Sequence, residues 1–361
     1  MKIASVVGAR PQFIKAAAIS QEVRKTHTEV LLHTGQHYDD LMSQVFFEEL
    51  SIPRPDYNLG VGSASHGRQT GEMLSLIEEV LLAEKPDLLL VYGDTNSTLA
   101  GTLAAVKLHI PVAHVEAGLR SFNRAMPEEI NRILTNHVSD LLFCPTETAA
   151  RNLAAEGIAQ GVYNVGDVMY DVILCNIETA TQRSQVLREL DLEPKQYLLA
   201  TVHRPRNTDT ADNLRSILDA FNRIGETIVF PTHPRTRQAI SQMGFELKRH
   251  VRLVEPVSYL DMLVLEKNAR MILTNSGGVQ KEAYFHKVPC IMLRDETEWV
   301  ETVQTGWNVV AGANAARIVA LTQSMRSPTE SPALFGDGRA SGRIVKIISE
   351  AGVANDWAVR N

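Results

Sequence analysis

Short apolar runs alternate with longer stretches whose apolar residues recur every three or four positions, and the alternation holds from one end of the chain to the other. The short runs predict buried strands at Ile3–Gly8, Glu29–Thr34, Asp87–Tyr92, Val112–Val115, Leu141–Pro145 and Tyr163–Val165. Between them the longer pattern predicts helices at Pro11–Arg24, Asp40–Leu50, Gly67–Glu84, Ser97–Leu108, Pro127–Ser139 and Glu147–Glu156, with 52–65 as loop. A polar helix over Val168–Leu190 follows, and the rhythm restarts. Strands are predicted at Tyr197–Val202, Ile228–Pro231, Val251–Val254, Met271–Thr274, Pro289–Leu293 and Asn308–Val310. The intervening helices are Ala211–Ile224, Arg235–Met243, Tyr259–Lys267 and Val279–His286. Strands joined through helices imply right-handed crossovers and parallel sheets covered on both faces.

Two doubly wound, Rossmann-like α/β domains are therefore expected, over 1–167 and 168–341. The length of 361 residues agrees with two domains of about 150 residues each. Hydrophobic residues at 44% and charged residues at 22% are those of a globular protein. The formal charge of −6, with no basic cluster, excludes a nucleic-acid or anionic-membrane surface as the expected partner. Cys144, Cys175 and Cys290 lie far apart in apolar runs without metal-ligand spacing. All three are expected to be buried thiols in a reducing compartment. The apolar run Ile3–Ala9 is broken at once by Arg10, Pro11 and Lys15, and no later stretch reaches about 18 uncharged apolar residues. A cytoplasmic chain without a membrane segment is the expectation.

In open α/β sheets ligands sit beyond the carboxyl ends of the strands, so the polar residues just after each strand are the candidates for a site. In the first half these are Gly8-Ala9-Arg10, Gly35-Gln36-His37, Gly93-Asp94-Thr95 and Glu116-Ala117-Gly118. In the second they are His203-Arg204, Thr232-His233-Pro234, Asn275-Ser276-Gly277-Gly278 and Arg294-Asp295. Together they predict a large polar site in a cleft between the domains. Ser276, Gly277 and Gly278, followed by a helix, form either an anion cradle at a helix N-terminus or an ordinary tight turn. Glu282, one turn on, is either an acceptor for ribose hydroxyls or a solvated carboxylate. Arg10 is a candidate anion clamp, and Lys15 either joins it or snorkels from the helix surface. The first loop lacks G-x-G-x-x-G, which disfavours a nicotinamide cofactor, and G-x-S-x-G is missing.

Asp94 and Glu116 end successive strands, and Glu128 opens a helix directly after Pro127. Convergence of the three would push their pKa values apart and divide them into acid and base. Each also has a bland reading: Asp94 as an N-cap, Glu128 as a dipole charge paired with Arg132 at i+4. His203-Arg204 and His233-Pro234 supply donors opposite the carboxylates. No histidine pair has zinc spacing, so no metal is expected.

The whole set, in order, is Gly8-Ala9-Arg10-Pro11 with Lys15, Thr34-Gly35-Gln36-His37, Gly93-Asp94-Thr95, His114 through Arg120, Pro127-Glu128-Glu129 with Asn131-Arg132, Thr201 with His203-Arg204, His233-Pro234, and Ser276-Gly277-Gly278 with Gln280 and Glu282. Over nearly the whole chain this resembles the non-hydrolysing UDP-N-acetylglucosamine 2-epimerases. The resemblance implies a fold of the glycosyltransferase-B type, a helix near Gly342–Ala351, within 342–361, that returns to the first domain, a homodimer, and no metal or redox cofactor. It also implies inversion at C2 by anti elimination of UDP to a 2-acetamidoglucal and re-addition of UDP. Asp94, Glu116 and Glu128 would then be the acid/base set, and Arg10, Lys15 and His203 would stabilise the leaving diphosphate. Ser276, Gly277 and Gly278 would hold phosphate, Glu282 the ribose, and Arg204 and His233 would join the UDP site.

The chain departs from the main branch in two places. His203-Arg204-Pro205-Arg206-Asn207 stands where His-Arg-Arg-Glu-Asn is common, and Tyr38-Asp39 follows Gln36-His37, which speaks against activation by a second substrate molecule. The segments 35–39, 120–123, 278–282 and 294–301 are similar to the branch that epimerises UDP-2,3-diacetamido-2,3-dideoxy-glucuronate for surface polysaccharide synthesis. A sugar carboxylate would call for an added cation, and Arg206 or Arg294 is the candidate. The competing readings are a hydrolysing epimerase that releases ManNAc and UDP, a glycosyltransferase on the same fold, and a nucleotide-sugar sensor. A sensor gains nothing from clustered negative charge beside an anionic ligand.

Overall fold

The structure, a computed structural model, describes residues 1–35 and 53–354, without the side chains of Arg10, Pro205, Arg206, Val353 and Ala354. The expected helix Asp40–Leu50 and the residues Gln36, His37, Tyr38 and Asp39 lie outside the described residues. The chain divides into two compact units, Met1–Leu174 with Ala333–Asn361, and Cys175–Pro332. The first seam therefore falls inside a helix, after Leu174 rather than at 167, and the return begins at Ala333 rather than 342.

In the first unit the strands are β1 (Lys2–Val7), β2 (Thr28–His33), β3 (Tyr57–Asn58), β4 (Leu88–Tyr92), β5 (Val112–Val115), β6 (Leu141–Cys144) and β7 (Val162–Asn164). They form one parallel sheet in the order 3-2-1-4-5-6-7. Helices cover both faces, so the strands read as unbroken apolar runs, and every residue of β4 is fully buried. On one face Ala4, Val6, Leu32 and Val91 pack with Met73 and Ile77 of helix His66–Glu84 and Ala100 and Ala104 of helix Asn96–Lys107. The order reverses between β1 and β4, which opens a crevice beyond their carboxyl ends.

The C-terminal helix Ala340–Ala354 belongs to this unit. Its first amides would be orphaned without a cap. Asp171 supplies one, accepting from the backbone amides of Ala340 at 3.1 Å and Ser341 at 2.7 Å. Ile344 and Ile348 are buried beneath the helix, and Ser349 Oγ meets His27 Nε2 at 2.7 Å.

The second unit repeats the plan with β8 (Leu198–Thr201), β9 (Ile228–Pro231), β10 (Val251–Val254), β11 (Met271–Thr274), β12 (Cys290–Met292) and β13 (Asn308–Val310). The parallel order is 10-9-8-11-12-13, with its reversal between β8 and β11. Leu214, Ile217, Leu218 and Phe221 of helix Ala211–Ile224 form one side of the core, with Phe221 edge-on to Phe230 at 5.8 Å. Two doubly wound parallel sheets are thus the fold class expected.

Several local expectations change. The region Val168–Leu190 is two helices, Val168–Arg183 and Val186–Glu189, separated at Ser184, whose hydroxyl donates to Asp261 Oδ1 at 2.5 Å. Strand β3 lies in the expected loop, and helices Pro205–Thr208, Val300–Gln304 and Ala315–Ser324 were not expected. Cys175 is exposed, a correction to the reading of three buried thiols, because it shares the solvent-facing side of its helix with exposed Leu174 and Glu178. Cys144 and Cys290 are buried, and burial pushes the Cys144 thiol up to about 12. No helix among the described residues is long and apolar enough to cross a membrane.

Candidate functional site

At the β1/β4 reversal one glutamine ties the two strand ends together. Gln12 Oε1 accepts from the amides of Gly8 at 2.8 Å and Ala9 at 2.9 Å, and its Nε2 donates to the Tyr92 carbonyl at 2.7 Å. Only glycine fits at position 8, since a Cβ there would come within 2.1 Å of Ser97 Oγ and 2.2 Å of Thr34 Oγ1. After β5 the chain turns through Glu116 at φ +71°, a left-handed conformation that costs a glutamate roughly 1–2 kcal/mol. Backbone strain of this kind collects where function over-determines geometry. The turn directs Glu116 onto Lys15, and the two form an ion pair whose side chains are nearly buried. Gly93 lies beneath the pair, where a Cβ would sit 3.3 Å from Glu116 Oε2. A small pocket lined by Lys15, Glu116, Phe143, Pro145, Asp167 and Ile344 adjoins it.

Asp94 is not the helix cap: Thr95 takes that position and accepts from the Thr98 amide. Asp94 Oδ2 instead lies 2.5 Å from Arg132 Nη2, while Arg132 Nη1 reaches Glu129 Oε2 at 3.0 Å. Glu129 also accepts from the backbone amides of Ser121 at 2.9 Å and Phe122 at 3.0 Å. The expected i+4 pair of Arg132 with Glu128 is replaced by this i+3 pair, because residue 129 faces inward and 128 faces solvent. Burial raises the Asp94 pKa first, Arg132 opposes it, and the charges of Glu116 and Glu128 add to the rise. Glu116, Glu128 and Lys15 thus all act electrostatically on Asp94 within a single unit.

His114 sits under this cluster and is fully buried. Asn136 Oδ1 accepts from the Gly118 amide at 3.1 Å and Arg120 Nη1 at 2.8 Å, which fixes its Nδ2 toward His114 Nδ1 at 2.7 Å. His114 Nε2 must then carry the proton and donate to the Gly93 carbonyl at 2.6 Å. Burial lowers the imidazole to about 4, so it is neutral.

At the β8/β11 reversal the threonine hydroxyls of Thr201 and Thr274 meet at 2.5 Å, and the Asn275 amide donates to the Thr201 carbonyl at 3.2 Å. Asn275 Oδ1 accepts from the His203 amide at 3.2 Å, which fixes the backbone on which exposed His203 is carried. Ser276 caps helix Gly277–Phe285, its hydroxyl accepting from the Val279 amide. Asn275 and Gln280 are fully buried, and Nδ2 of one and Nε2 of the other have no hydrogen-bond partner among the described residues.

Gly277 has a steric reason absent from the sequence: a Cβ would lie 2.6 Å from Glu298 Oε1 and 3.4 Å from Arg204 Nη2. Glu298 in turn is held by Arg294 Nη2 at 3.1 Å. At Gly278 a Cβ would make only an ordinary contact with Ser276 Oγ. Glu282 is buried, which removes the reading of a solvated carboxylate. His233 is exposed and caps helix Pro234–Gln242, accepting at Nδ1 from the Arg235 amide at 3.3 Å, so its bland role is filled within its own turn.

The second unit thus gathers Arg204, Ser276, Gly277 and Gly278 at one switch point, with His203 joined through Asn275. The side chains of Arg10 and Arg206 lie outside the described residues. Arg132 with Glu129 had a local signal in the i+3 spacing, whereas Glu298 against Gly277 had none. Among the described residues no group of three His, Cys, Asp or Glu is placed to hold a metal ion.

A family model described as UDP-N-acetylglucosamine 2-epimerase matches residues 21–349. A protein of Methanococcus maripaludis named UDP-N-acetylglucosamine 2-epimerase homolog is 55% identical over 354 residues, covering 96% of this chain and 99% of the relative. The UDP-2,3-diacetamido-2,3-dideoxy-D-glucuronate 2-epimerase of Pseudomonas aeruginosa is 49% identical over 360 residues, covering 97% of this chain and 100% of its own. The crystal structure of Methanocaldococcus jannaschii UDP-GlcNAc 2-epimerase in complex with UDP-GlcNAc and UDP matches at a TM-score of 0.91 and 44% identity, over 97% of this chain and 100% of that one. With two doubly wound sheets and a family match over most of its length, the chain belongs to the UDP-N-acetylglucosamine 2-epimerase family of enzymes.

Proposed function

We propose that the chain is a cytoplasmic, non-hydrolysing 2-epimerase of a UDP-2-acetamido sugar, either UDP-GlcNAc or its 2,3-diacetamido-glucuronate analogue, serving surface polysaccharide precursors. The observation that carries this reading is the pairing of Glu116 with Lys15 and of Asp94 with Arg132 beyond the ends of β5 and β4, with the charge of Glu128 also acting on Asp94. Cleavage of C1–O moves its electron pair to UDP and builds positive charge at C1, which acidifies C2–H. A carboxylate of the set takes that proton, leaving a 2-acetamidoglucal; UDP then adds back at C1 while a carboxylic acid returns a proton to the other face of C2. The Lys15 ammonium keeps Glu116 anionic and suited to the base. Burial raises the Asp94 pKa against the opposing charge of Arg132, which suits Asp94 better than Glu116 to the acid role. Arg204 and the amides at Ser276–Gly278 receive the departing diphosphate, with Glu282 on the ribose.

The hydrolysing alternative and the transferase and sensor readings are separated by one reaction in deuterated water. Deuterium at C2 of intact UDP-sugar is the expected result; free ManNAc with UDP, or no exchange, overturns it. For the sugar itself, Arg294 is already neutralised by Glu298, which leaves Arg206 as the cation assigned to a uronate carboxylate. Replacing Arg206 by Glu should shift preference toward UDP-GlcNAc, and an unchanged preference removes Arg206 as selector.

We also propose that two copies of the chain associate. Ile130, Leu134 and Val138 recur every four residues on helix Pro127–Val138 and are 39%, 45% and 39% exposed, a stripe that a partner helix would cover. Sedimentation of a Leu134→Glu variant should report a monomer, against a dimer for the unmodified chain.

A further inference from the structure

His114 lies on β5 two residues before Glu116, and Asn136 lies on helix Pro127–Val138. Both side chains are buried, and together they grip the backbone beside each of the two carboxylates. At the turn after β5 the amides of Glu116 and Ala117 share the Phe143 carbonyl, at 3.1 Å and 3.0 Å, and the Gly118 amide donates to Asn136 Oδ1 at 3.1 Å. Gly118 has φ +81°, and a Cβ there would come within 2.3 Å of the Ala149 carbonyl oxygen, so the turn has no room to shift on that side. At the turn after β4 the Gly93 amide donates to the Val115 carbonyl at 3.0 Å. The Gly93 carbonyl belongs to the peptide group that leads into Asp94, and it accepts from His114 Nε2 at 2.6 Å. The Asp94 carbonyl accepts from Asn131 Nδ2 at 3.0 Å, so the Asp94 backbone is pinned before and after the residue. One path thus joins the two turns: Gly118 amide, Asn136 side chain, imidazole ring, Gly93 carbonyl. Its polarity is set at one end, because Arg120 Nη1 also donates to Asn136 Oδ1, at 2.8 Å, while Arg120 is held by Glu156 through Nε at 2.6 Å and Nη2 at 2.7 Å. Both groups facing Oδ1 can only donate, so Nδ2 faces the ring, at 2.7 Å from Nδ1.

We infer that His114 and Asn136 are positioning residues for the reaction: the planar ring and the planar amide hold the Asp94 turn and the Glu116 turn at one spacing, so that both carboxyl groups address the same C2. This rests on the reading of Asp94 and Glu116 as acid and base. Inversion takes a proton from one face of C2 and returns one to the other, so the rate depends on two placements at once, and a displacement of about 1 Å costs roughly 10²-fold. The position of the ring proton is part of the device. A proton on Nδ1 would oppose the N–H of Asn136 and turn the Nε2 lone pair on the Gly93 carbonyl, which breaks both bonds. Glutamine at 114 keeps a donor for Gly93, leucine at 114 fills the space without any polar contact, and leucine at 136 leaves the ring without its anchor.

Kinetics of the full-length chain test the assignment, with C2 deuterium exchange measured on the UDP-sugar that the unmodified chain turns over and expressed per UDP-binding site counted by calorimetry. His114→Leu should lose roughly 10²-fold in kcat, Asn136→Leu roughly tenfold, and His114→Gln less than about fivefold, with UDP affinity within about twofold of the unmodified chain in all three. A residue that only fills space lowers the urea midpoint and leaves kcat per binding site where it was. That outcome in His114→Leu, equal loss in His114→Gln and His114→Leu, or a parallel loss of UDP affinity overturns the positioning role. Nitrogen-15 spectra of the histidine rings at pH 7.5 give a second measure that does not need a leucine variant to fold. The signal missing from His114→Gln should be that of a neutral ring with its proton on Nε2, and a proton on Nδ1 overturns the relay. Asp94→Asn and Glu116→Gln separate this inference from the reading beneath it. If both exchange at full rate, the acid and base reading fails and the positioning role with it, while the ring spectra still decide the proton. If both are inactive and His114→Leu keeps its kcat, the positioning role alone fails.

Discussion

Arg132 Nη2 lies 2.5 Å from Asp94 Oδ2, and this bond is what holds the Asp94 carboxyl down against the effect of its burial. Removing the guanidinium leaves desolvation and the charges of Glu116 and Glu128 unopposed, so the proton affinity of Asp94 rises. In Arg132→Met the limb of the pH–rate profile set by Asp94 should therefore move to higher pH, read as C2 deuterium exchange across pH 5 to 9. Glu129 is also stranded with its charge buried, a loss of about 3 kcal/mol in urea unfolding. A profile that keeps its position would show that Asp94 does not titrate in turnover.

Lys15 and Glu116 form the other ion pair. With Lys15→Met, Glu116 loses its counter-ion in a nearly dry setting and takes up a proton, so a base is lost without touching the second unit. Exchange at C2 should fall by roughly 10²- to 10⁴-fold while UDP binding persists. Loss of UDP binding in parallel with exchange would return Lys15 to the role of an anion clamp.

The backbone at Glu116 gives a prediction about stability alone. At φ +71° any L-residue pays for a crowded Cβ, and glycine does not. Glu116→Gly should be more stable than Glu116→Ala by roughly 1 kcal/mol in urea, although both lose the carboxylate. Equal stability would mean that the turn relaxes once Glu116 is gone.

His114 links the site to acid stability. Its folded pKa of about 4 lies below the unfolded value of 6.5, so between these the unfolded chain binds more protons. The stability contributed by neutral His114 is fully present above pH 6.5 and is lost as pH falls toward 4, at about 1.4 kcal/mol per pH unit. The advantage of the unmodified chain over His114→Gln should accordingly be larger at pH 7.5 than at pH 5.0. The same difference at both would mean that the ring accepts a proton in place, which the Asn136 hydrogen bond at Nδ1 opposes.

The strands were legible because parallel sheets covered on both faces demand unbroken apolar runs, and the strand-end rule then put Asp94 and Glu116 side by side on neighbouring strands. What the chain concealed is partnership at long range. Lys15 meets Glu116 and Arg132 meets Asp94 through tertiary packing, with no local spacing to announce either pair. Helix Ala315–Ser324 escaped the pattern because only Ile318 and Thr322 of it are buried. Glu128 and Glu129 show the limit most sharply: adjacent and chemically alike, one is exposed and the other buried, and only the helix's rotation against Arg132 decides which.

Gly277 makes the same point about glycine. Its small size serves the Glu298 carboxylate as much as an approaching ligand, since an added methyl would lie 2.6 Å from Glu298 Oε1. Gly277→Ala must push Glu298 away, and Glu298 is what holds Arg294 at 3.1 Å beside Arg204. The backbone amides at 277 and 278 are unaltered, so the helix N-terminus still attracts phosphate, but the two guanidinium groups lose their common anchor. UDP affinity should drop roughly tenfold in titration, a loss of one well-placed charged hydrogen bond. The double variant Gly277→Ala with Glu298→Ala removes the clash and should recover stability in urea without recovering the affinity. Recovery of both would show that the carboxylate merely crowds the cradle and does not aim its cations.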